Sequence, residues 1–325
     1  MSSGPQALLG DEDEQPRWIG PAAVQNLLSI GEAVDVLERT LTEGYDPEQD
    51  GTRSRLGVPN GQLLQMPSGT REWCGTKLVT LRPGNENVGL PVIQGVYVLF
   101  EGETLRPIAV LDGASLTALR TPAVTALAVR HLTTRPSGRV TLFGTGVQAL
   151  PHVEALRAVF TPEHISIVGR RTERVHAVVD EVNQMGIPAS AGRPEEVAEA
   201  DVVLCCTSAS TPLFDGSLVQ DHAVVCAIGS HDPSTREVDS ELVRRANCVV
   251  ESHTSAKAEA GDLIIPANEG VFDWAEAITL SELVTSRPEL PSDRPRLFKG
   301  TGMPWQDLSV VSAIYLMDKE SSHVR

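Results

Sequence analysis

The stretch Arg139-Val-Thr-Leu-Phe-Gly-Thr-Gly-Val-Gln-Ala149 constrains this chain more than any other, because a short β-branched run leads directly into Gly144-x-Gly146-x-x-Ala149 and a helical pattern follows. Gly144 permits a tight turn, Gly146 lets backbone approach a pyrophosphate, and Ala149 keeps the following helix close to its strand. Val147 and Gln148 open that helix, whose unpaired N–H groups face an anion. A glycine-rich turn that binds nothing is the alternative, and a lone GxGxxA does not separate the two. Context does: a second strand near Val168 and a second helix near Thr172 complete a βαβ unit.

The 325 residues suffice for two ordinary domains, and 41% hydrophobic with 22% charged residues describes a soluble globular protein. The N-terminus lacks a basic region followed by an apolar one, and no run approaches the roughly 20 apolar residues of a membrane helix, so a cytoplasmic protein is expected. A net charge of -16 argues against nucleic acid and for a small-molecule ligand held by local positive charge. Five cysteines lack the spacing of a zinc site or a disulfide framework, so they read as buried thiols and no metal is expected. The acidic run Asp11 to Glu14 reads as a solvated, mobile terminus.

Gly20 to Tyr45 reads as a helix, with a capping box at Ser29-x-x-Glu32 and a stop at Gly44. Arg53 and Arg55 sit in an otherwise uncharged loop, followed by strand-like runs at Arg71 to Leu81, Val92 to Phe100 and Pro107 to Leu111. Asp112 to Leu132 has helical composition interrupted at Arg120-Thr121-Pro122, where Thr121 can be an N-cap and Pro122 the first residue of a fresh helix. An arginine beside such a terminus favours an anion, or else simply satisfies carbonyls. From Ile165 onward strands and helices alternate, which predicts a doubly wound parallel sheet. Its strand ends at Gly169 to Thr172, Thr207 to Pro212 and Gly229 to His231 frame one cleft, with Thr207 and Ser208 beside the cofactor. The fold class is therefore α/β, a Rossmann-type sheet over residues 126–302 plus an N-terminal α+β domain over 1–125. A terminal amphipathic helix within 303–325, marked by Trp305, Leu308, Val311, Ser312 and Tyr315, packs back on that first domain.

Where an NAD enzyme usually places a carboxylate for the ribose, this chain has Arg170, Arg171 and Thr172. Two guanidinium groups and a hydroxyl suit a 2′-phosphate, so NADPH is favoured and NADH is the alternative; two surface arginines at a helix start are the plainer reading. Lys77 shares a strand face with Trp73, Val79 and Leu81. It is either an edge-strand charge or an ammonium held in a pocket to pair with a carboxylate or exchange a proton.

Taken in order, Gln65-Met-Pro67, Gly75-Thr-Lys77, Leu111-Asp-Gly-Ala-Ser-Leu-Thr-Ala-Leu-Arg-Thr121, Gly144-Thr-Gly-Val-Gln-Ala149, Ala227-Ile-Gly-Ser-His231 and Arg236-Glu237-Val238-Asp239 resemble the ornithine cyclodeaminase/μ-crystallin family, from roughly Gly20 to Tyr315. The resemblance implies a homodimer, an N-terminal substrate and dimerisation domain, and a substrate site lined by Arg53, Lys77 and Arg120. The arginines grasp an α-carboxylate. Where cyclodeaminases of the family carry an aspartate, this chain has His231, which can relay a proton near neutral pH but offers no fixed charge to a second amino group. A plain loop histidine is the other reading. The proline-rich Ser286 to Pro295 segment is atypical of the family.

These departures favour the family's reductases: NAD(P)H-dependent reduction of an α-imino acid or cyclic ketimine. Arg53 and Arg120 bind carboxylate, Lys77 pairs with it or delivers a proton, and His231 relays a proton or orients the amine. The alternatives are a cyclodeaminase with tightly bound NAD, acting on ornithine or lysine, and a noncatalytic NADPH or small-ligand binder.

Overall fold

The computed structural model describes residues 15–323, so the Asp11 to Glu14 run lies outside the described residues. The chain begins with β1 (Arg17–Ile19), α1 (Pro21–Leu27), α2 (Ile30–Thr42), β2 (Ser54–Val58), β3 (Gly61–Gly69), β4 (Trp73–Leu81), β5 (Ile93–Glu101) and β6 (Pro107–Asp112). A long helix, α3 (Gly113–Leu132), leads to β7 (Ser137–Phe143), α4 (Ala149–Arg157), β8 (Thr161–Val168), α5 (Thr172–Gln184), β9 (Ala189–Ala191), β10 (Val202–Cys205) and β11 (Val224–Ala227). Then come α6 (Ser240–Arg245), β12 (Asn247–Val250), α7 (His253–Glu259), α8 (Gly261–Asn268), β13 (Ile278–Thr279), α9 (Leu280–Thr285), β14 (Arg296–Lys299) and α10 (Pro304–His323).

Among the described residues two compact units result, one formed by 15–29, 50–117 and 304–323, the other by 30–49 and 118–303. The segment expected as one helix from Gly20 to Tyr45 is two, because Leu28 is extended (φ -135°, ψ 114°) and α2 starts directly after Ser29, at the Ser29-x-x-Glu32 pattern. Gly44, at φ 97°, ends α2 by donating to the Leu41 carbonyl.

The first unit is a six-stranded sheet in the order β1-β6-β5-β4-β3-β2, antiparallel except where β1 joins β6. α10 lies against β3, β4 and β5. Its start is less amphipathic than the pattern suggests: Trp305, Gln306, Asp307 and Leu308 are all buried, while Leu316 is exposed. Each large apolar side chain so covered contributes roughly 1.5–3 kcal/mol.

The second unit is an eight-stranded sheet, β13-β12-β14-β11-β10-β7-β8-β9, and every pairing in it is parallel. Strands buried on both faces need continuous apolar runs, as in Val202–Cys205 and Val224–Ala227. From β7 the chain winds outward in one direction through β8 and β9 and then returns to add β10 and β11 on the other side. The switch point falls beside the Gly144 turn. Cys205, Cys226 and Cys248 are buried as thiols, and burial pushes the pKa of each upward; Cys74 and Cys206 are only half-buried, contrary to expectation.

The expected break in α3 does not occur. The helix is continuous with Pro122 inside it, so Thr121 is not an N-cap and no fresh N-terminus stands beside Arg120. Proline there removes one helical hydrogen bond, at a cost of about 3 kcal/mol. The next residues, Ala123, Val124, Ala126, Leu127, Ala128 and Val129, are all buried and offset it. Asp112 begins the helix, accepting from Ser115 N at 2.7 Å and from its hydroxyl at 2.6 Å.

Candidate active site

In the second unit the dinucleotide fingerprint has the geometry its glycines require. Gly144 sits at φ 110°, where a Cβ would lie 2.3 Å from the Cys206 carbonyl oxygen, so only glycine fits. A Cβ on Gly146 would meet nothing within 4 Å, which leaves its backbone open to a ligand. Ala149 is fully buried at the start of α4, and no side chain caps that helix. Among the described residues, the N–H groups of Gly146, Val147 and Gln148 donate to no protein acceptor. Val147 is 84% exposed. Gln148 Oε1 and Thr121 Oγ1 are buried without a hydrogen-bond partner among the described residues.

His152 ties these pieces together. Its Nδ1 lies 2.7 Å from the Gln148 carbonyl and its Nε2 3.2 Å from Thr125 Oγ1, so α3 is held beside the mouth of α4. Burial pushes the His152 pKa down to about 4, and the ring is neutral at physiological pH. Neutral imidazole then donates from Nδ1 and accepts at Nε2. The uncapped helix start, the open glycine and the Thr121 hydroxyl, which can donate, suit a pyrophosphate, so the residues fit a dinucleotide.

The loops at neighbouring strand ends converge on Glu237, which is fully buried. Its Oε1 accepts from Thr207 N at 2.9 Å and Thr207 Oγ1 at 2.7 Å, while Oε2 accepts from Gly229 N at 2.7 Å. Burial raises the Glu237 pKa, against the lowering pull of Lys299 and Thr207. Behind it, Asp262 Oδ1 accepts from the N–H groups of Glu237 (2.6 Å) and Val238 (3.0 Å), and Asp262 Oδ2 pairs with Lys299 Nζ at 2.8 Å. Lys299 also donates to the Ser230 carbonyl at 2.6 Å, fixing the residue before half-buried His231. Gly169, at the end of β8, packs against Thr145 of the fingerprint. The Thr207 and Gly229 loops therefore adjoin, while Gly169 meets the fingerprint instead; Thr207 spends its hydroxyl on Glu237 and Ser208 is exposed. Arg170, Arg171 and Thr172 are exposed, and neither arginine has an ion-pair partner among the described residues.

Arg120 is buried on α3. Gly302, at φ 79°, has its backbone so close that a Cβ would stand 2.6 Å from Arg120 Nη1. Glu251 holds this loop by accepting from the N–H groups of Thr301 and Gly302, each at 2.7 Å.

In the first unit Lys77 lies on β4, flanked by β3 and β5, and is 1% exposed, which removes the edge-strand reading. Its neighbours across the sheet are Met66 and Tyr97, both buried. Continuing the pairing of Ser54 with Gln65 by one residue puts half-buried Arg53 at the end of the same row, about 10 Å from Lys77 at two strand spacings. Gly75 leaves space for the Tyr97 ring, whose hydroxyl a Cβ would meet at 2.5 Å. Lys77 Nζ pairs with Asp307 at 2.9 Å and 2.8 Å and reaches Thr117 Oγ1 at 3.4 Å. Asp307, Asp262, Glu237 and Lys299 carry no assigned role in the sequence reading. The signals are local and weak: Lys299 and Asp262 are charges inside apolar runs, as in Arg296-Leu-Phe-Lys299, and Glu237 lies in the Arg236-Glu237-Val238-Asp239 motif.

A Δ1-pyrroline-2-carboxylate reductase of Bacillus cereus is 31% identical over 304 residues, covering 90% of this chain and 93% of the relative. The structure of Thermococcus litoralis Δ1-pyrroline-2-carboxylate reductase in complex with NADH and L-proline superposes with a TM-score of 0.88 at 27% identity, covering 94% of this chain and 98% of that one. An archaeal alanine dehydrogenase dimer with bound NAD gives a TM-score of 0.88 at 27% identity, over 94% and 97%. Since the family model itself matches residues 22–322, this chain belongs to the ornithine cyclodeaminase/mu-crystallin family.

Proposed function

We propose that the protein reduces the C=N bond of an α-imino acid or cyclic ketimine with a nicotinamide cofactor, NADPH in preference to NADH. It is an NAD(P)H-dependent oxidoreductase in a family whose similar members include pyrroline-2-carboxylate reductases. The observation that carries the reading is the open Gly146 backbone beside an uncapped α4 in a chain that also keeps a buried lysine on β4. Support for NADPH is the exposed Arg170 and Arg171 pair with no carboxylate attached, a fork suited to a 2′-phosphate.

The cofactor, when bound, supplies the hydride that the imine carbon accepts. The protein orients the substrate and governs the proton. Arg53 and Arg120 are assigned to the substrate carboxylate; Lys77, an ammonium held by Asp307, pairs with that carboxylate or keeps the imine nitrogen protonated, which makes its carbon the better electrophile. His231 is assigned to proton relay or orientation of the product amine. Thr121, Gly144, Gly146, Val147, Gln148, Thr172, Thr207 and Ser208 are assigned to the cofactor.

A cytoplasmic homodimer is the proposed form. The homodimer is supported by β2, an edge strand exposed along its whole length, with Leu56 60% and Val58 43% exposed. No helix among the described residues is long and apolar enough to cross a membrane.

The test is oxidation of NADPH and NADH with five- and six-membered cyclic ketimines and with pyruvate plus ammonia or methylamine. Stoichiometric loss of reduced cofactor is expected with at least one imine and faster with NADPH. Consumption of ornithine or lysine without net cofactor change would replace reduction by cyclodeamination, and cofactor binding with no turnover would leave a binding protein.

A further inference from the structure

At the amino ends of the parallel strands, across the sheet from the Gly144 turn, the second unit contains a cavity of about 440 Å³. Its lining includes Arg130 and His131 at the end of α3, Arg287 and Leu290 from the proline-rich segment, and Arg296, the first residue of β14. The carboxylate on this wall, Glu38, is already committed to Arg130 at 2.6 Å and His131 at 2.7 Å.

Arg296 is only 4% exposed, yet no carboxylate among the described residues lies within ion-pair distance of it. Its Nη1 donates to the carbonyls of Asp221 and His222, both at 3.3 Å, while Nε and Nη2 donate to no acceptor among the described residues. A buried guanidinium without a counter-ion is costly, and burial pushes its pKa down. Arg287 adds a second cation: it is exposed, has no ion pair among the described residues, and sits at φ 47°, a conformation that non-glycine residues hold only at a cost of about 1–3 kcal/mol.

We infer that this cavity is an anion site separate from the cofactor cradle. Its ligand carries a carboxylate or phosphate group whose two oxygens match the Nε and Nη2 fork of Arg296, with Arg287 closing on the same charge. Leu132, Leu283 and Leu290 in the lining leave room for a short apolar body on that ligand.

Isothermal titration calorimetry of the whole protein, at fixed ionic strength in chloride, with inorganic phosphate and separately with butyrate, tests this. Saturable binding of at least one is expected, weakened at least about tenfold by Arg296→Gln, the loss of one charge-assisted pair. Thr134→Trp, which fills the cavity from an exposed lining position without altering Arg296, should weaken it likewise while dinucleotide affinity is unchanged. Binding of phosphate alone identifies a phosphate-bearing ligand, and of butyrate alone a carboxylate with an apolar chain; either supports the site. No saturable binding of either probe, or equal binding by the wild type and Thr134→Trp, overturns it.

Discussion

Lys77 and Asp307, 230 positions apart in the chain, form a buried ion pair at 2.8 Å, with their side chains 2% and 0% exposed. Desolvating both charges costs several kcal/mol, so the intact pair adds little net stability. The carboxylate of Asp307, 2.8 Å away, holds Lys77 Nζ in one position in an apolar setting.

Asp307→Asn strands that ammonium and should lower unfolding free energy by about 3–5 kcal/mol, read from urea denaturation. Lys77→Met combined with Asp307→Leu should recover most of the loss, since apolar residues of similar volume replace buried ions at little cost. The double variant should still show no imine reduction while binding cofactor normally. An active double variant would remove Lys77 from the mechanism.

His152 gives the protein a pH-dependent stability term of known sign. Its pKa is about 4 when folded against 6.5 when exposed, so the unfolded chain binds the extra proton between those values. The group costs nothing above pH 6.5; stability falls as pH drops toward 4, by about 3 kcal/mol in total at about 1.4 kcal/mol per tenfold. Urea midpoints at pH 7.5 and pH 5 should differ less in His152→Gln than in the wild type, and an equal difference would exclude the buried neutral ring.

Gly302→Ala forces a methyl against Arg120 and places a non-glycine residue at φ 79°. Displacement of the guanidinium should raise KM for the imino acid at least about tenfold, the value of one charge-assisted pair, with cofactor Kd unchanged. Gly144→Ala should do the opposite, weakening cofactor binding through collision with Cys206. Steady-state kinetics and cofactor titration separate the two.

Arg170→Ala with Arg171→Ala should reduce kcat/KM for NADPH by about tenfold or more while leaving NADH within about twofold, because only the 2′-phosphate loses its partners. An equal fall with both cofactors would show that the arginines do not select the phosphate.

Much of the second unit was legible because its signals are local. The Gly144 turn, the βαβ repeat and the arginines after β8 depend on residues within a few positions of one another, and they occupy the places the pattern gives them. Pro122 shows the limit of that reasoning. A proline is a sound local reason to start a new helix, yet burial of the following two turns of α3 outweighs one lost hydrogen bond. The Gly20 to Tyr45 segment failed in the other direction: the Ser29-x-x-Glu32 pattern, read as part of one helix, lies where a second helix begins.

The sequence by itself determined the alternation of strands and helices in the second unit, where the phosphate-binding turn lies, and which family the chain resembles, since period, turn chemistry and motif order are written along the chain. The segment around Arg55, read as a loop, is instead strand β2 because it pairs with β3. Tertiary structure alone decided which charges meet. Asp307 reaches Lys77 because α10 crosses β4, and Glu237 collects Thr207 and Gly229 because β10 and β11 are neighbours in the sheet. Charge pairing depends on distance in space, and a buried carboxylate carries no mark in the sequence of the partner that neutralises it.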